Sequence, residues 1–209
     1  MRTWMKWSVC AGLSWLPMTV RAETPPEARR TVLLVQPLFM GMGRVGAGVE
    51  HAVGTHVALS ATVQGLFVAD TFRLAAGEPG IFTARYGVSV DPGVHFYLAG
   101  RAPEGLWVGP HVEASWDRMS GHYRLVTPEG YLPVDNSMRS LQYGGSARVG
   151  YTAILSPGLS AQVGLGLTAL RGRSTIVNAL ADGTGSVERT LERGWSLAPR
   201  LTVGVGWAF

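Results

Sequence analysis

The sequence predicts an all-β protein: an antiparallel, up-and-down transmembrane β-barrel, with eight strands preceded by a signal peptide. Three observations carry this. Apolar residues alternate with polar ones at period two over long stretches, which is the strand signature. The predicted strands run about 11–16 residues, whereas strands of soluble proteins usually have about 5–6. The chain ends on an alternating segment closed by Phe209.

The first 22 residues read as a secretory signal. Arg2 and Lys6 form a basic start, residues 7–16 an apolar stretch, and Val20-Arg21-Ala22 a cleavage site after Ala22. That apolar stretch is too short to span a bilayer. Removing it takes away three cations and no acid, so the formal charge falls from +4 to +1. A basic footprint for nucleic acid is then missing, and no nucleic-acid partner is expected. Cys10 is the single cysteine and leaves with the signal, so no thiol chemistry is expected. Residues 23–30 read as a short periplasmic lead, and 31–209 as the barrel.

The first three strands are expected at 31–40, 42–53 and 56–69, with a tight external turn near Gly41. The fourth, over 83–98, sets Tyr86, Val88, Val90, Val94, Phe96 and Leu98 against Arg85, Gly87, Ser89, Asp91, Gly93 and His95. The fifth, over 106–116, sets Leu106, Val108, Val112, Ala114 and Trp116 against Gly109, His111, Glu113 and Ser115. Tyr97 and Trp107 break this parity and are expected to fill the periplasmic mouth. The sixth and seventh strands are expected over 139–155 and 159–169. The eighth alternates Trp195, Leu197, Leu201, Val203, Val205, Trp207 and Phe209 with Ser196, Arg200, Thr202, Gly204 and Gly206. Connections alternate short (54–55, 100–105, 156–158) and long (70–82, 119–136, 172–189). Short periplasmic turns and long external loops would produce that alternation.

With apolar residues facing lipid, the inward set includes Arg44, Glu50, Gln64, Arg85, Asp91, His95, His111, Glu113, Gln142, Arg148 and Arg200. Eight strands leave a lumen that side chains fill. Unpaired ions there would cost several kcal/mol each. The expectation is therefore a lumen network of arginines and carboxylates through Arg44, Glu50, Arg85, Asp91, His95, His111, Glu113, Arg148 and Arg200. Two histidines and two acids on adjacent strands are also a weak zinc or acid–base pattern. They lack fixed ligand spacing, so no metal, cofactor or catalytic residue is expected. Ser120, His122 and Asp117 are the one candidate set for a lipid-modifying enzyme, but no Gly-x-Ser-x-Gly elbow accompanies them. The glycine pairs at Gly41/Gly43 and Gly164/Gly166 open no helix, so they cradle no phosphate. The external loops carry Arg118, Arg124, Arg171, Arg173 and Arg189, cations suited to lipopolysaccharide phosphates.

The terminal strand, with Trp207 and Phe209, resembles the signal read by the barrel assembly machinery of Gram-negative outer membranes. Residues 31–209 resemble the small OmpA/OmpX-type outer-membrane barrels, and the stretch 43–66 and the segment 102–110 resemble outer-membrane barrel families of unassigned function. The resemblance implies an outer-membrane location and a monomer. It implies a structural or surface-interaction role; a narrow channel for small solutes is the alternative, and an outer-membrane lipid-modifying enzyme the third. No enzymatic activity is expected. Expected partners are outer-membrane lipid, lipopolysaccharide and the assembly machinery.

Overall fold

The computed structural model describes residues 29–37, 43–72, 81–128, 130–180 and 184–209. The predicted signal, most of the lead and the turn near Gly41 lie outside the described residues.

Eight antiparallel strands close into one barrel in chain order: β1 (Thr31–Gln36), β2 (Arg44–Ala52), β3 (Val57–Phe72), β4 (Ile81–Arg101), β5 (Glu104–Thr127), β6 (Gly130–Ile154), β7 (Leu159–Leu180) and β8 (Ser186–Ala208). Closure is between β1 and β8, where Val32 lies opposite Ala208 and the Thr31 carbonyl accepts from the Phe209 amide at 2.9 Å. The barrel is sheared. Following partners around the ring from Ala198 through Thr168, Ser146, His111, Gly93, Ser60, Glu50 and Val32 returns to β8 at Ala208, ten residues further on. Shear and strand tilt are linked, and closed barrels typically tilt by about 35–45°.

The protein is apolar outside and polar inside. Leu197, Phe67 and Val112 are 78%, 70% and 63% exposed, while Glu50, His95 and Arg148 are 1%, 2% and 6% exposed. On β5 the outward apolar run goes from Leu106 to Trp116. Ten residue steps of about 3.3 Å, tilted by about 40°, rise about 25 Å. That matches the height of a lipid-facing apolar band, about 25 Å.

One expectation is corrected. Most of the segments 119–136 and 172–189, expected as loops, is strand. Met119 to Thr127 pairs residue by residue with Gly130 to Met138, and Arg173 to Ala179 with Ser186 to Glu192. Above the apolar band the outward residues turn polar, so period-two hydropathy fades while backbone pairing continues. The start of β1, Phe209 and the short turns, including Ala102-Pro103 between β4 and β5, lie at the opposite end of the barrel from these tall hairpins.

Candidate functional site

The lumen divides into a packed lower half and an open upper half. At the lower mouth, Trp107 is 1% exposed and stacks on His95, with ring centroids 3.8 Å apart and planes 9° apart. Its indole N–H donates to Thr152 Oγ1 at 3.1 Å. Tyr97 donates its hydroxyl to Glu50 Oε1 at 2.5 Å, and Gln162 donates to Glu50 Oε2 at 2.8 Å. These bonds satisfy a carboxylate that would otherwise be costly to bury.

Glycines on the inner face make room for this plug. A Cβ on Gly150 would run into Trp107 Cζ2, and one on Gly93 would run into His111 Nδ1. Gly150→Ala should therefore cost about 1–3 kcal/mol by overpacking. Gly194→Ala, which meets nothing within 4 Å, should stay within about 0.5 kcal/mol. Urea unfolding of both variants in lipid vesicles checks the contrast.

Above the plug the polar chain continues. His95 Nδ1 lies 3.0 Å from Glu50 Oε1, within ion-pair range but off hydrogen-bond alignment. His95 Nε2 meets His111 Nε2 at 3.3 Å, and His111 Nδ1 meets Asp91 Oδ1 at 3.1 Å. Arg148 then joins two strands. Its Nη1 lies 2.7 Å from Asp91 Oδ2, its Nη2 2.5 Å from Glu113 Oε1, and its Nε donates to Ser146 at 3.0 Å. Thr168 also donates to Glu113 Oε1, at 3.1 Å. The planar guanidinium suits this fork between two carboxylates. The histidine nitrogens face each other and the acids. Among the described residues no group of three or more ligands converges as a metal site would need.

The upper half is a cavity of about 250 Å³, walled by Arg44, Arg85, Glu113, Asp117, Gln142 and Arg200 among others. Arg85 Nε donates to Asp117 Oδ1 at 2.9 Å. Arg200 Nη2 stands 4.0 Å from Glu113 Oε2. Arg44 and Arg200 are thus brought beside the network without a hydrogen-bonded acid of their own among the described residues. Gln64 donates to Gln36 Oε1 at 2.7 Å.

Asp117, named above only beside Ser120 and His122, is missing from the inward set read from the sequence. Continuing the parity of Glu113 and Ser115 along β5 puts it inward, where it is 7% exposed. The same parity puts Ser120 and His122 on the outer face, where His122 Nδ1 pairs with Asp135 at 2.5 Å. The structure therefore does not bring Ser120, His122 and Asp117 into one site.

On the outer face, Arg118 on β5 lies directly opposite Arg139 on β6, a residue the loop assignment left out. Arg139 lies opposite Thr175, two residues from Arg173 on β7. Just below them, Tyr86 meets Trp116 edge-on at 5.8 Å. Arg171 lies 3.7 Å from Glu192. Trp207 and Phe209 are on the outer face at the opposite end, 44% and 58% exposed.

No protein-family model and no curated protein sequence matches the chain. Solved structures similar to it include a major outer membrane protein from Thermus thermophilus. That match has 16% identity and a TM-score of 0.46, covering 87% of this chain and 99% of that one. Acinetobacter baumannii CarO2 matches at 11% identity with a TM-score of 0.45, covering 87% of this chain and 98% of that one. CarO from the same organism matches at 7% identity with a TM-score of 0.44, covering 87% and 98%.

Proposed function

We propose that this chain is a non-conducting, non-enzymatic barrel of the OmpA/OmpX type, resident as a monomer in a Gram-negative outer membrane after removal of residues 1–22. One observation carries the membrane reading: the protein is built inside out, with its apolar residues exposed in a band and its ions buried. In water that band would be a contiguous apolar patch far beyond the few hundred Å² a monomer exposes. The short turns, the start of β1 and Phe209 then face the periplasm and the tall hairpins face outward. Trp207 and Phe209, on the last strand, serve as the signal read by the assembly machinery.

The role is structural and surface-interacting rather than a channel. The plug of Trp107, Tyr97, Glu50, His95 and Gln162 closes the lumen below the open cavity. The surface interaction is with lipopolysaccharide. Like charges directly across a strand pair destabilise it. Arg118 and Arg139, facing each other at the upper edge of the apolar band, are relieved by a phosphate between them.

Reconstitution into vesicles with and without lipopolysaccharide tests all three parts. The expected result is a gel band that shifts on boiling, no ion conductance, and extra thermal stability with lipopolysaccharide that Arg118→Gln/Arg139→Gln removes. Steady single-channel conductance would overturn the structural role, and a chain that stays soluble without lipid would overturn the membrane reading. Equal stabilisation of the wild type and the double variant would overturn the glycolipid contact.

A further inference from the structure

We propose that the upper cavity of the barrel is a binding cup for a small, water-soluble oxyanion, the phosphate or carboxylate end of a solute. The inference goes beyond the membrane role and rests on guanidinium donors left without partners. The upper cavity is lined by three guanidiniums, Arg44, Arg85 and Arg200, and by three carboxylates, Asp91, Glu113 and Asp117, and Arg148, below it, takes up two of those carboxylates.

Each carboxylate is already committed. Asp91 holds Arg148 and His111, Glu113 holds Arg148 and Thr168, and Asp117 holds the Nε of Arg85. Arg44 has no acid within ion-pair range among the described residues. Arg85 spends one donor on Asp117, so its Nη atoms remain, and Arg200 stands 4.0 Å from its nearest carboxylate oxygen.

Three forks thus line one cavity of about 250 Å³ with donors to spare. A guanidinium fork is matched by two oxygens on one atom, which phosphate and carboxylate both offer. The cup reaches solvent, because Arg44 is exposed and the Arg85 side chain is 42% exposed. Below, the lumen narrows to a water-sized space of about 20 Å³ among Glu50, His95, Trp107 and Gln162. The cup therefore holds a solute rather than passing one.

Calorimetry on the folded barrel in non-ionic detergent at low ionic strength tests this, with inorganic phosphate and succinate as probes. The expected result is saturable binding of at least one probe, weakened at least tenfold by Arg44→Gln and by Arg200→Gln, and unchanged by Arg124→Gln. The boiling shift reports that each variant is folded. Arg44 is exposed and has no ion-pair partner among the described residues, so its replacement leaves the barrel intact. No saturable binding of either probe, or equal binding by wild type and Arg44→Gln, would overturn the proposal. So would Arg44-dependent capture of lipopolysaccharide with neither soluble probe bound, which would make the source a lipid headgroup. None of these outcomes touches the membrane reading, which the boiling shift and vesicle insertion decide separately.

Discussion

Arg148→Leu should destabilise the barrel by about 3–5 kcal/mol. Arg148 is 6% exposed and, among the described residues, is the one cation that reaches both Asp91, at 2.7 Å, and Glu113, at 2.5 Å. Leucine fills much of the volume but leaves two buried carboxylates without it. His111 still faces Asp91, and Thr168 still donates to Glu113, but neither replaces a guanidinium fork. Arg200, 4.0 Å from Glu113, is the closest substitute cation. Urea unfolding in lipid vesicles measures the loss. Adding Glu113→Gln should recover part of it, since the neutral amide no longer needs a cation, and the coupling is read from the double-mutant cycle. A loss under about 1 kcal/mol would mean that the lumen is wet enough to solvate these ions. The plug would then be no barrier.

Trp107→Ala should cost about 3–5 kcal/mol by leaving a cavity where the largest fully buried side chain among the described residues stood. The indole is held three ways. It stacks on His95 at 3.8 Å, donates to Thr152, and lies over Gly150 and Gly164, which have no side chain to exclude it. Stacking of this kind adds about 0.5–1.5 kcal/mol beyond area. Trp107→Phe keeps most of the packing but loses the N–H donor, so it should cost about 1 kcal/mol of hydrogen bonding, plus a smaller packing loss. Equilibrium unfolding of the two variants side by side checks the order. If alanine and phenylalanine cost the same, the hydrogen bond rather than the packing would be what holds the mouth closed.

Much of this was readable from the chain alone, because a barrel wall imposes a simple rule. In a strand successive side chains point to opposite faces, so the placement of Arg85, Asp91, His95, His111, Glu113 and Arg148 inside followed from counting by two. The broken parity at Tyr97 and Trp107 was also visible, and both side chains are buried at the mouth. Counting stopped too early at Asp117, since the outward residues beyond Trp116 cease to be apolar. The same fading hid the tall hairpins of β5–β6 and β7–β8. Strands there are held by backbone hydrogen bonds between neighbours, which need no hydropathy pattern and leave no mark in it.

Period-two alternation, read along the chain, is enough for the inside-out pattern, the strand directions and the approximate order of strands around the ring. Which inward residues meet depends instead on register and closure of the whole ring. A ten-residue shear sets which positions share a level, so it brings Glu50 to Gln162 and Arg148 to Asp91 across 112 and 57 residues of chain. It also leaves Arg44 at the cavity without an acid in ion-pair range among the described residues. Pairing energies depend on distances of a few ångströms, and those distances come from register and closure, which no local pattern of residues specifies.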